Sequence, residues 1–536
     1  MHCPAWFALS FYICISLPWL AVAQAPASPQ SPALKDTADP AIASPAGANG
    51  KPQMKATIKR APDGSIVGYE ISTEGVPGAE RATIEYTPNS RAIDYEEGQG
   101  GTVKENYYNV GVRKDVATSD GDFRKFTYER LIPKTEHHVS GVWEGWALTW
   151  KFEERRGIPT ITEISTPGAA AEPVQLMMTF DKHARPETIG GPRGLTGAYV
   201  YSEVSGNLTS FSRGLLQTKL EYDDIGRIGV VETTTKDGAI VYRYRHAYDR
   251  RNQRTERLAE GAGKPWSGMQ YDNEGRMVKA AGYAYAYDGW GRRHPGRDSA
   301  TQPGKIEFVT EMTGHDGAGR PTGDALWDYQ WDQRGLLVGL SRRAGKARDP
   351  RVTAETVRYQ YDADRRRVRK VRTLKFTPET KRPDFVEESR MLWDGPLPVM
   401  EDRTRLGTAL PRRWFVWGRD LGGQRTSAGG LGGLAAIIEE GKRTLLPVDD
   451  GAGNIMAVVD GATGKMVAKY NYGPMGEVEP VEGDADACPF RYQTRYFDQD
   501  SELYYAGGLF YLPRMGRWLG RIVSGKIELN PLLEKE

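Results

Sequence analysis

Histidine and cysteine are scarce, with 7 and 3 copies among 536 residues. So few imidazoles and thiols disfavour a metal enzyme and exclude a disulfide-stapled framework. Charge of one sign is missing as well: 72 Lys and Arg face 70 Asp and Glu, for a net charge of +2. That balance carries no nucleic-acid footprint. Even the run Asp364-Arg365-Arg366-Arg367-Val368-Arg369-Lys370 has acidic neighbours in a strand-like segment and reads as a solvated strand face. The usual catalytic signatures are absent too. No Gly-x-Ser-x-Gly elbow occurs, and Gly263-Lys264 and Gly464-Lys465 run into Pro265 and Met466 where a phosphate loop needs Ser or Thr. The only histidine pair, His137-His138, would point to opposite faces of a strand. No catalytic, cofactor-binding or metal-binding residue is assigned, and a non-enzyme is expected.

Long apolar runs are lacking except at the start. The first 25 residues hold no Lys, Arg, Asp or Glu, are apolar from Ala5 to Leu20, and end in Ala21-Val22-Ala23. This small-x-small ending predicts a signal peptide over 1–23, cut between Ala23 and Gln24, and an exported mature chain with no transmembrane span. An uncleaved N-terminal anchor is the competing reading, because no basic residue precedes the apolar run. Cys14 follows Phe11-Tyr12-Ile13, which is no lipobox. After cleavage Cys488 alone would remain, so no intrachain disulfide is expected. Residues 24–55 are Ala-, Pro- and Ser-rich and read as a linker.

What is plentiful is glycine (62) and tyrosine (27), the composition of many short strands joined by tight turns. Residues 56–145 alternate apolar and polar positions between turn signals and predict a β-rich region to which no chemistry is assigned. Trp143, Trp146 and Trp150 offer either a sugar-stacking surface or ordinary core, with core favoured.

A repeat then emerges. Its clearest copies are Tyr222-Asp223-Asp224-Ile225-Gly226-Arg227, Tyr271-Asp272-Asn273-Glu274-Gly275-Arg276 and Tyr287-Asp288-Gly289-Trp290-Gly291-Arg292. Looser copies start at Phe152, Phe180, Tyr201, Tyr248 (with Asn252 in the glycine place), His315, Trp331 and Tyr361. The aromatic ends a strand, Asp accepts backbone N–H bonds in the turn it opens, Gly takes the left-handed conformation that closes it, and the next residue starts the return strand. A carboxylate present in every hairpin is architecture, since a catalytic acid is needed once.

These units resemble the YD repeats of the bacterial RHS family, which is related to insecticidal-toxin and teneurin shells. The likeness covers roughly residues 150–521. It is carried further by Trp417-Gly418-Arg419-Asp420-Leu421, by Asp450-Gly451-Ala452-Gly453-Asn454, by Tyr470-Asn471-Tyr472-Gly473-Pro474, and by the aromatic terminal block with Tyr504-Tyr505 and Gly516-Arg517-Trp518. The resemblance implies an all-β fold, hairpins wound as one continuous sheet into a shell or spiral, with YD repeats over 146–384, an RHS core over 385–521 and a short tail over 522–536. The family's processing segment is replaced here by Gly520-Arg521-Ile522-Val523-Ser524-Gly525. No self-cleavage site carries over, and no toxin domain is expected in this chain. The expected role is a secreted or envelope-associated, non-enzymatic shell or scaffold. The alternatives are an adhesion module for an envelope glycan or a separately encoded protein, and a toxin-delivery protein that has lost its toxin.

Overall fold

A computed structural model describes residues 54–73, 76–87, 89–96, 101–129, 131–152, 159–166, 173–261, 265–287, 299–300, 312–477, 479 and 481–520. The signal-peptide site Ala23/Gln24, all but the last two residues of the linker, Asp288, Gly291 and Arg292 of one repeat, and the tail lie outside these residues. The chain is all-β: no α-helix occurs among the described residues, and none is long and apolar enough to cross a membrane.

Within each sheet successive strands pair antiparallel, except that Leu397–Arg405 pairs with both Thr408–Ala409 and Arg413–Trp417. From Met54–Arg60 to Arg254–Gly261 this gives an 18-stranded meander. It passes residue 145 without a break, because Ile132–Ser140 pairs with Ala147–Phe152. One sheet therefore holds both the β-rich region and the first repeats. Four short strands follow, then a 15-stranded meander from Gly314–His315 to Glu482–Gly483, and a four-stranded one from Tyr496–Asp498 to Arg517–Leu519. Neighbour-to-neighbour pairing follows from the turns, since each Asp-Gly unit returns the chain beside the strand it has just left.

The ribbon winds past itself. Contacts join residues 251 apart (Arg113 and Asp364), 248 apart (Trp143 and Met391), 244 apart (Trp150 and Asp394), 221 apart (Arg213 and Leu434) and 196 apart (Tyr283 and Glu479). Both members of each pair advance along the chain together. A ribbon doubled back on itself would run the second member in reverse, so the ascending order means a spiral whose later pass lies against the earlier one.

The later pass is covered on both faces. In strand Arg413–Trp417 alternate residues point oppositely. Phe415 and Trp417 meet Phe490 of the terminal segment edge-on, at 4.9 and 5.2 Å between ring centres, and the Arg413 guanidinium bonds the Asp486 carbonyl. On the other face, Val416 sits so close to Gly191 of the early pass that a Cβ there would lie 2.9 Å from its Cγ2. Strands Arg413–Trp417 and Leu434–Glu439 are accordingly buried at every position. This part of the spiral is filled with side chains.

The three tryptophans belong to that core. Trp143, Trp146 and Trp150 are all buried, Trp143 and Trp146 pack edge-to-face at 5.2 Å, and Trp143 and Trp150 donate their indole N–H groups to the Met391 carbonyl and to Asp394 Oδ1. They present no sugar-stacking surface. The solvated reading of the basic run also fails in part. Arg366 and Arg367 are buried, and Lys370 bonds Asp498 and Asp500, because the matching carboxylates come from other passes of the ribbon. His137 is exposed and His138 buried, on opposite faces of Ile132–Ser140.

Candidate functional site

The repeat turn has one geometry in the copies that place an arginine four residues after the Asp. Asp223 accepts from the Ile225 and Arg227 backbone N–H groups at 3.1 and 2.9 Å through Oδ1, and from Arg227 Nε at 2.6 Å through Oδ2. Asp272, Asp316 and Asp362 hold Arg276, Arg320 and Arg366 in the same way, at 2.6–2.7 Å for the Nε bond. Gly226 and Gly275 supply φ of +84° and +81°; Asn252 takes the same place at +63°, a conformation asparagine tolerates better than most residues. The aspartates are thus spent on their own turns. Burial opposes ionisation, but the hydrogen bonds from the Arg227 N–H and side chain and from the Ile225 N–H together outweigh it and hold the Asp223 carboxyl below its ordinary pKa.

The aromatic does more than end a strand. Tyr222 pairs with Ile228 across a bulge, as Tyr248 does with Arg254, Tyr271 with Met277 and Tyr361 with Arg367. A bulge takes its return residue out of the regular ladder. The aromatic of the next unit then donates to that residue's carbonyl. Tyr248 Oη bonds Ile228 at 2.8 Å, Tyr271 bonds Arg254 at 2.8 Å, Tyr287 bonds Met277 at 2.8 Å and Tyr361 bonds Leu337 at 2.6 Å. Tryptophan does the same through Nε1: Trp331 to Pro321, Trp393 to Arg367 and Trp417 to Pro398. The turn arginine completes the link by stacking on the next aromatic, Arg227 over Tyr248 at 4.5 Å and Arg276 over Tyr287 at 4.8 Å. Tyr248→Phe keeps the ring and loses only the tether. It is expected to lower the unfolding free energy by about 1 kcal/mol, read from urea denaturation, with an unchanged β-sheet circular dichroism spectrum.

The core continues this pattern and modifies it. Asp450 caps its turn through the Ala452 and Asn454 N–H groups, and Asn454 Nδ2 takes the place of the turn arginine at 2.9 Å. The missing cation comes from the early pass: Arg257 Nη1 reaches Asp450 Oδ2 at 2.9 Å, with both groups fully buried. Gly453 has φ +80°, and its carbonyl accepts from Thr494 Oγ1 at 2.7 Å. Tyr504 Oη bonds the Gly476 carbonyl. Tyr505 Oη accepts from the Arg367 N–H at 2.8 Å. Gly516 closes the last described hairpin, Trp518 packs on Tyr511 with ring centres 5.4 Å apart, and Arg517 is exposed. All these residues are built into turns and packing.

Two buried ionic clusters join the passes. In one, Arg124 donates to Glu136 Oε1 at 3.0 Å and to Asp122 Oδ2 at 3.2 Å and forms an ion pair with Asp364 Oδ2 at 2.9 Å; Arg113 meets Asp364 at 2.8 Å, and Arg366 meets Glu136 at 3.3 Å. Burial would raise the Glu136 pKa, but Arg366 and Arg124 outweigh it and hold the carboxyl below its ordinary value. In the other, Asp498 accepts from Tyr359 Oη and Lys370 Nζ at 2.7 and 2.6 Å. Burial opposes ionisation there too, yet Lys370 and then Arg367 hold Asp498 at about 2, against an ordinary 3.8. A folded-state pKa depressed in this way contributes stability that is complete above the ordinary value and is lost as pH falls through the folded one. Stability in urea should therefore drop between about pH 4 and about pH 2, and Asp498→Asn should flatten that part of the profile.

No side-chain constellation suited to metal binding is present among the described residues. Where the early pass meets the Asp450 turn, a cleft of about 330 Å³ opens beside Arg227, His246, Arg254 and Gly451.

No family model and no curated protein matches the sequence. Solved structures are similar. A TcdB2-TccC3 chain without its hypervariable C-terminal region gives a TM-score of 0.55 at 13% identity, over 89% of this chain and 26% of that one. The Photorhabdus luminescens Tc holotoxin pore with a mutated TccC3 gives 0.48 at 13% identity, over 89% and 30%. TcdB2-TccC3-Cdc42 gives 0.48 at 13% identity, over 89% and 33%. The first of these likenesses shows the fold, an RHS-like shell of antiparallel hairpins. The chain spans about a quarter to a third of the length of the solved chains it matches.

Proposed function

We propose that this chain is a YD-repeat protein of the RHS type, exported from a bacterial cell, that acts as a non-enzymatic scaffold. The observation that supports this most is the use made of the repeated acids: Asp223, Asp272, Asp316 and Asp362 each hold their own turn and its arginine, which leaves them no proton to move and no substrate to meet. The buried acids Asp450 and Asp498 are likewise paired with cations from other passes. A core filled on both faces fits a solid support better than an open container. The test has two parts. Protein recovered from outside the cytoplasm should begin at Gln24 on N-terminal sequencing. The same protein, assayed on glycoside, ester, peptide and phosphoester substrates, should show no turnover that a single substitution abolishes; turnover lost in one carboxylate variant that still folds would overturn the scaffold reading.

A further inference from the structure

The cleft between the early pass and the Asp450 turn has an unspent donor. Its volume of about 330 Å³ lies at the lower end for small-molecule sites. Most charges around it are already satisfied. Arg227 is committed to Asp223 and to Asn252 Oδ1 at 2.9 Å, and its guanidinium covers the Tyr248 ring. Asp249 accepts from the Arg251 and Gln253 N–H groups, and Asp450 from its own turn, Asn454 and Arg257. One group differs. Arg254 has a buried Nε with no hydrogen-bond partner, and beside it His246, buried at both ring nitrogens, meets the Asp450 main chain. Burial first, then Arg254, pushes the His246 imidazole down to about 3 against the pull of the Asp450 carboxylate and main chain, so it is neutral at physiological pH and adds no charge that would compete with an anion for Arg254.

A guanidinium donor without an acceptor calls for a ligand that brings oxygens and negative charge. No carboxylate lines the cleft, and Asp450, which attracts Arg254 from nearby, spends its oxygens on its own turn, Asn454 and Arg257. We propose that this cleft binds a small ligand carrying an oxyanion, a carboxylate or a phosphate group, with Arg254 as the charged donor and the neutral His246 as part of the cleft wall. This goes beyond the scaffold reading and does not depend on it.

Calorimetric titration of the full mature chain with glucuronate, inorganic phosphate and glucose tests it. At least one anion should bind with a Kd of about 1 mM or tighter, and glucose should not. Binding of glucuronate alone identifies a sugar acid as the ligand class, and binding of phosphate alone identifies a phosphate source. Arg254→Gln should weaken the anion by about tenfold or more. Ile225→Trp, placed at a cleft residue that is 67% exposed, should block entry without disturbing the core, and it decides the matter should the arginine variant not fold. Absence of binding by both anions, equal binding of glucose, or affinity unchanged in the folded variants would overturn the proposal.

Discussion

Arg124→Met is expected to destabilise the protein by about 3–5 kcal/mol, the range for removing one partner from a buried ion pair. The side chain is completely buried, and its guanidinium lies within 4 Å of Asp122, Glu136, Asp362 and Asp364. Methionine fills much of the same volume, so lost packing contributes little and the uncompensated carboxylates contribute most. Arg113 and Arg366 remain to share them, which keeps the loss within that range and leaves the variant foldable at low temperature. The effect should shrink as pH falls towards the ordinary carboxylate pKa, because protonation removes the repulsion that the substitution exposes. Chemical denaturation at neutral pH and near pH 4 checks both statements. A loss below about 1 kcal/mol at neutral pH would mean that the cluster is hydrated rather than dry.

The second large effect is expected at Trp143. Its indole is 2% exposed, packs edge-on against Trp146, lies beneath the Arg390 guanidinium at 5.2 Å and donates to the Met391 carbonyl across the two passes. Trp143→Ala leaves a cavity and a carbonyl without its donor, for an expected loss of about 3–5 kcal/mol. Trp143→Phe keeps most of the packing and loses the N–H, and should cost clearly less. Thermal unfolding of the two variants separates the contributions. Equal losses in both would place the weight on the hydrogen bond and contradict the packing argument.

Local features of the fold were readable in the sequence, and long-range ones were not. Tyr222-Asp223 followed by Gly226-Arg227 specifies a hairpin because all its chemistry lies within six residues: an acid that caps, a residue that accepts positive φ, a strand on either side. The same holds at Asp450-Gly453-Asn454, where asparagine in place of arginine hinted at a different partner without naming it. The tether from each aromatic to the previous bulge was missed, although a signal existed: Tyr or Trp, each with a polar tip, fills the place in most copies, with Phe152, Phe180 and His315 as the exceptions. The pairs Arg124–Asp364 and Arg257–Asp450 carry no local signature, because their members lie 240 and 193 residues apart and meet only once the ribbon has completed a pass. For that reason Arg366 and Arg367 looked like a solvated face. The cleft beside Arg254 was equally hidden, since the site needs both passes in place.

The central claim is the stacking of successive passes of one ribbon, and a double-mutant cycle between Arg113 and Asp364 tests it most directly. These residues form a 2.8 Å ion pair at the seam and are partly exposed, so single and double variants should fold. Arg113→Met, Asp364→Asn and the double variant, compared by urea denaturation, should give a coupling energy of about 1 kcal/mol or more, as expected for groups in contact. Strict additivity would contradict a contact at this seam, and with it the stacking of the passes.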